Sequence, residues 1–273
     1  MLVNEGLITT SQPITTYVPA LVGTSFEGCT VQHLLDFRAG IKFSEDYAKV
    51  DADVRVYKQV AVHRPRTLPN LPACIYDYMT TLKCTGAHGG AFNYQSILTD
   101  LFGWVLEEVG GMPFAELLSD RIWSRIGAEY DAEVTVDPGG CALADGGIYA
   151  TARDHARLGL AHLPANTPSR PEIVPVAWLH QCTRCEPEFE ALFAANVIEH
   201  NRRIAMYHNN WWVLDPTGPV MTGLGINGQM LSINAATNTV IAKFSTWPTA
   251  VDDKFLKLHL AKAKTLAASP MER

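Results

Sequence analysis

The chain has 273 residues, 47% of them apolar, enough to bury a large core as one big domain or two smaller ones. Its net charge of −6, from 28 acidic against 22 basic residues without a basic run, argues against nucleic acid or an anionic membrane as partner. No apolar run approaches the length of a bilayer span, and no signal peptide opens the chain, which points to the cytoplasm.

In chain order, MLVNEG reads as the last turn of a helix, with Gly6 in the left-handed position that ends helices. So short a helix is unstable alone, because nucleation is costly and few hydrogen bonds follow. VQHLLDFRAG, residues 31 to 40, reads as a short helix ending at Gly40, and residues 41 to 93 read as loop-rich. SILTDLFGWVLEEVGG then places Ile97, Leu98, Leu101, Phe102, Val105, Leu106 and Val109 at helical spacing, between Ser96 as N-cap and Gly110-Gly111 as stop. Pro113 opens a further helix, and Thr151 caps the one in TARDHARLGL with Asp154 three residues on.

From about residue 205 the pattern turns to strands, with a hairpin at Asn234 to Asn238 and an amphipathic terminal helix in DDKFLKLHLAKAKTL. The fold class is therefore α+β, an antiparallel sheet flanked by helices plus a helical region. The boundaries read as 1–20, a mostly helical 21–200, and 201–273 with the strands and terminal helix.

Six scattered cysteines (Cys29, Cys74, Cys84, Cys141, Cys182 and Cys185) read as reduced thiols. HQCTRC, His180 to Cys185, holds a C-x-x-C beside a histidine, but a zinc or redox centre needs a second ligand pair or a thioredoxin-like context, and the sequence offers neither. No metal and no cofactor is expected.

HGGAFNYQS, residues 88 to 96, is the most informative stretch, because Tyr94 lies just before the helix that starts at Ser96. A tyrosine acting as general base at neutral pH needs about 4 kcal/mol of anion stabilisation. A helix N-terminus gives about 0.3 to 1 kcal/mol when exposed, so a nearby cation must supply most of the rest. By itself Tyr94 reads as a packed aromatic rather than a base, FSEDY (43 to 47) as a surface turn, ADGGIYATARD as a turn into a capped helix, and GLGING (223 to 228) as a hairpin loop.

In this order, however, LLDFRAGIKFSEDY, FNYQS, ALADGGIYATARDHARLG and GINGQ resemble the serine hydrolases of the β-lactamase and penicillin-binding-protein superfamily. The likeness is greatest to the class C-like branch of esterases and 6-aminohexanoate-dimer hydrolases. It covers roughly residues 1 to 260 and implies a β-lactamase-like (transpeptidase-like) fold. The resemblance implies Tyr94 as general acid–base, with Ser96 in the third place of its motif. It also implies a backbone oxyanion donor at Ile226, in a turn with Asn227 and Gly228 that departs from the family's K-T-G, and Tyr47 as a loop tyrosine over substrate.

The family's nucleophile sits in S-x-x-K, and its helix ends in a stretch like MLVNEGLI. None of the ten serines here has lysine three residues on; Thr80 and Lys83 have the spacing but sit in an irregular stretch. The reading is thus an N-terminally truncated serine hydrolase for a small ester, linear amide or β-lactam, inactive by itself. The alternative is a non-catalytic relative acting as a binding module, or a remnant. The strand TVIAKFS, 239 to 245, is expected to be left unpaired as a sheet edge, with self-association as the consequence.

Overall fold

A computed structural model describes residues 1–164, 172–184, 186–196, 204–214 and 220–268. The chain folds into two compact units: Leu2–Leu118 with Glu133–Tyr149, and Ser119–Ala132 with Ala150–Arg273. The helices after residue 150 therefore group with the C-terminal strands, whereas the sequence boundary at 200 assigns them to the tyrosine-bearing region.

The first unit is mainly helical. At its start, Gly6 has φ +75° and its N–H donates to the Val3 carbonyl at 3.0 Å, while Leu7 N–H donates to the Leu2 carbonyl at 3.0 Å. These are the paired bonds of a Schellman helix end, as the sequence pattern requires. Helix α1 (Val31–Leu35) is capped by Thr30, whose hydroxyl accepts from His33 N–H while the His33 ring accepts from Thr30 N–H. It ends before the expected Gly40, because Phe37 takes a left-handed φ of +52°. Gly40 is instead needed for a close approach, since a Cβ there would lie 2.3 Å from the Gly86 carbonyl oxygen.

The region expected to be loop-rich contains helices α2 (Asp53–Val60) and α3 (Ile75–Thr81) and the short paired strands β1 (Ile41–Lys42) and β2 (Lys83–Cys84). The three prolines between the helices hid them, although Val54, Tyr57 and Val60 recur at helical spacing and are buried. Helix α4 (Ile97–Gly110) follows its apolar stripe, with Ile97, Leu98, Leu101 and Val105 fully buried, and Gly111 closes it in the left-handed conformation. Helix α5 (Phe114–Arg121) follows Pro113, and strands β3 (Glu133–Val134) and β4 (Ile148–Tyr149) pair antiparallel.

The second unit holds helices α6 (Ala152–Leu160), α7 (Val176–Thr183), α8 (Pro187–Ala194) and α9 (Asp253–Ala268). Strands β5 (Met206–His208), β6 (Trp211–Val213), β7 (Val220–Gly225), β8 (Gln229–Asn234) and β9 (Thr239–Lys243) form one antiparallel sheet in chain order. Asn209 and Asn210, at φ 50° and 65°, make the two-residue turn between β5 and β6. Alternation along β8 sends Leu231 and Ile233 into a cluster with Met221, Leu163, and Leu179 and Cys182 of α7, while Asn234 donates to the Ala267 carbonyl of α9 at 2.9 Å. Helices thus cover both faces of the sheet. Strands β5 and β9 are the two edges of the described sheet, and the residues of β9 are half-buried rather than fully buried.

Candidate active site

Around the start of α4 the first unit gathers three of the six site residues singled out in the sequence, Tyr47, Tyr94 and Ser96. Tyr94 is half-buried, its ring edge-on to Phe37 with centroids 4.9 Å apart. The left-handed Phe37 also accepts a hydrogen bond from Asn93 N–H at 2.9 Å, so a rarely populated backbone conformation supports the segment carrying Tyr94.

Ser96 stands at the first position of the helix but does not cap it. Its backbone is already helical (φ −54°, ψ −33°), and its hydroxyl makes no capping bond. The Glu45 carboxylate takes over, accepting Ser96 N–H at 3.1 Å, where the positive end of the helix favours an anion. The Ser96 Oγ is buried and faces the carboxylates of Glu45 and Asp145 without a well-formed hydrogen bond to either.

Tyr47 is held in place rather than exposed on a surface turn. Its hydroxyl donates to Glu45 Oε1 at 2.6 Å, Lys58 Nζ lies 4.8 Å from its ring centroid, and Arg55 donates to its carbonyl. Burial, then the Glu45 charge, pushes its phenol well above the ordinary range, with Tyr94 and Asp145 adding to the effect.

Three desolvated carboxyls underlie this cluster, Asp100 fully buried and Glu45 and Asp145 half-buried. Burial raises Glu45, Asp145 and Asp100 above the ordinary carboxyl range, and Asp145 raises Asp100 further. Asp100, fully buried on α4, accepts from the Tyr57 hydroxyl and from Asp145 N–H, the latter at 2.9 Å. Lys58 is the cation among them: burial lowers its pKa, and Asp145 and Glu45 pull it back up. Sequence reading missed Glu45, Lys58, Asp100 and Asp145 as individual residues. The one available signal was Asp100, a charge beside the apolar stripe of α4.

Thr80 and Lys83 do not act as a nucleophile pair in this structure. Thr80 donates to the Asp77 carbonyl at 2.7 Å, and α3 ends at Thr81, so Lys83 falls in β2 and not one helical turn further on. Of the C-x-x-C, Cys182 is packed in the sheet core and Cys185 lies outside the described residues.

In the second unit, Ile226, Asn227 and Gly228 form the tight turn between β7 and β8. Asn227 adopts φ 59°, ψ 18°, and Gly228 has φ +86° with the Trp247 ring where a Cβ would sit, 2.3 Å away. The Asn227 amide donates to the Trp247 carbonyl at 2.9 Å and to that of Thr249 at 3.3 Å, while its backbone N–H donates to Ala250 at 2.8 Å. Asn227 therefore serves to lock the turn. Ile226 is at its surface, 40% exposed.

No helix among the described residues is long and apolar enough to cross a membrane. The family model described as Beta-lactamase matches residues 1–264. A 6-aminohexanoate-dimer hydrolase of Paenarthrobacter ureafaciens is 34% identical over 250 residues, covering 90% of this chain. The chain spans 62% of that relative's length. A structure described as a 6-aminohexanoate-dimer hydrolase from Bacillus anthracis superposes with a TM-score of 0.82 at 27% identity, over 99% of this chain and 70% of that one. A beta-lactamase/D-alanine carboxypeptidase from Yersinia pestis shares the fold, with a TM-score of 0.64 at 15% identity, over 98% of this chain and 79% of that one. The chain belongs to the beta-lactamase family of serine hydrolases.

Proposed function

We propose that this chain carries the acid–base part of a serine hydrolase acting on a small amide or ester, with Tyr94 as the group that takes and returns the proton. The observation that supports it best is the gathering of Tyr94, Tyr47, Ser96 and Glu45 at the start of α4. The Paenarthrobacter relative's name favours a linear amide as substrate. Ile226, in the second unit, is proposed as a backbone donor to an oxyanion, its turn held by Asn227 and Gly228.

The acidic surroundings set a condition on this role. Glu45 and Asp145 disfavour a neighbouring phenolate, as Tyr47 shows, so Tyr94 needs a cation supplied with the nucleophile. None of the 273 residues completes an S-x-x-K, and we propose that the chain by itself forms no acyl-enzyme.

Intact-mass spectrometry with a fluorophosphonate or penicillin probe tests this. No adduct is expected on the chain as given, and an adduct is expected once an S-x-x-K helix from a relative is fused ahead of Met1. Stoichiometric serine or threonine adduction without the fusion sinks the first claim. A folded fusion that stays inert favours the non-catalytic alternative.

A further inference from the structure

A second cluster in the first unit is not used by the acid–base reading. The Sγ of Cys74, a carboxylate oxygen of Asp137 and the Sγ of Cys141 all lie within 4.8 Å of one another. We propose that these three side chains bind one divalent zinc ion, with water in the fourth position.

The donor set fits the metal. Zinc takes thiolate sulfur and carboxylate oxygen in tetrahedral sites, and three protein ligands leave one position for water. With Zn–S bonds of about 2.3 Å and Zn–O of about 2.0 Å, tetrahedral ligands sit roughly 3.5 to 3.8 Å apart, so closing the cluster needs a shift of about 1.3 Å at most. On binding, each thiol gives its proton to solvent and each sulfur forms one bond to the metal.

The ligands are also held by their surroundings. Asp137 is 4% exposed; its Oδ1 accepts Gly139 N–H at 2.8 Å and Cys141 N–H at 3.0 Å, and its Oδ2 accepts Ile75 N–H at 2.6 Å. A carboxylate has about four lone-pair positions, so three N–H bonds orient Asp137 and leave one position on Oδ2. Cys74 Sγ accepts Asp77 N–H at 3.5 Å; burial, then Asp137 and Cys74, hold the Cys141 thiol above its ordinary range against the one opposing donor, Tyr76 N–H, so the metal's own charge must displace that proton. The turn is fitted against Cys74: a Cβ on Gly139 would lie 2.6 Å from Cys74 Cβ and 3.2 Å from Asp137 Oδ1. The cluster ties the start of α3 to the segment that continues, four residues on, to Asp145. Zinc there would be a structural pin for that segment.

Cobalt(II) and zinc(II) titrations of the reduced full chain test the proposal. One equivalent of cobalt should give a thiolate-to-metal charge-transfer band and tetrahedral visible bands, both displaced by zinc. Cys74→Ser and Cys141→Ser should each abolish the charge-transfer band, and the Cys182→Ser/Cys185→Ser double variant should keep it. In case a single variant fails to fold, hydrogen exchange on the unsubstituted chain is the second readout. Zinc should increase protection in residues 137–149 and around Cys74. The proposal is overturned by absence of the band, by its loss in the 182/185 variant, by its survival without Cys74 and Cys141, or by unchanged protection. A Cys74–Cys141 disulfide that forms in air and persists under the mild reductant of the assay also overturns it.

Discussion

Tyr94 and Tyr47 show how two phenols in one neighbourhood take different parts. Tyr47 is tied to Glu45 and pushed up by burial and by that charge, so it stays protonated and its O–H is committed to the Glu45 carboxylate. Tyr94 is half-buried and packs edge-on against Phe37. In the fused, active form, Tyr94→Phe should lower kcat by about 10²-fold or more on a p-nitrophenyl ester, the scale of a lost general acid–base. Near-normal turnover would reduce Tyr94 to packing. Tyr47→Phe should spare ester turnover and weaken amide turnover, read as kcat on paired ester and amide substrates.

The desolvated carboxyls give a second prediction. Burial holds Glu45, Asp100 and Asp145 above their ordinary range, so the folded chain binds their protons more tightly than the unfolded chain. Their contribution to stability is full below about pH 4 and is lost as pH rises through the raised folded values. Asp145→Asn keeps the N–H bond to Asp100 and removes the charge; Lys58 is the cation facing it. The unfolding temperature of the variant should exceed that of the parent at neutral pH, with the gap closing towards about pH 4. Every other titrating group is common to parent and variant, so the difference reports the Asp145 carboxyl. A gap independent of pH refutes the argument.

At the scale of elements, α6 depends on one contact distance. A Cβ on Gly159 would lie 2.5 Å from Val240 Cγ1 and 2.9 Å from Leu231 Cδ1, so only glycine lets this helix pack on β8 and β9 at the observed separation. Alanine gains helix propensity by about 1 kcal/mol, yet overpacking costs roughly 1 to 3 kcal/mol. Gly159→Ala should therefore destabilise the chain by up to about 2 kcal/mol in urea unfolding; a stabilised variant would mean that β9 gives way easily. The same comparison explains α1, where Gly40 looked like the terminator and turned out to be a site of backbone approach.

At the scale of the whole molecule, the edge strand β9 bears on self-association. It is one of the two edges of the described sheet, with Val240, Ile241 and Ala242 half-buried and the following Phe244 50% exposed. Lys243 is the charge expected to discourage edge pairing, but its Nζ donates to the Gly228 carbonyl at 2.7 Å and lies over Trp247. We propose that a second copy pairs on this edge and that the chain self-associates. Light scattering after size exclusion should give a mass above 30.0 kDa that rises with concentration; a stable monomer with cooperative unfolding sinks the idea.

The amino-acid sequence by itself determined what local patterns encode. The apolar stripe of α4, the Thr151 cap, the β8–β9 hairpin and the Gly6 helix end are all set by residues within one or two turns of each other. The four motifs in register also carried the family. Tertiary structure decided what depends on partners distant in the chain. Glu45, 51 residues before Ser96, displaced it as the cap of α4. Phe37 took the turn expected of Gly40, and Gly40 instead leaves room for the backbone of residue 86. Cys74 and Cys141 met although 67 positions apart, since burial and backbone N–H groups, not spacing, brought them to Asp137. A single sequence encodes turns and stripes locally, but charge environments and ligand sets arise only where separate segments converge.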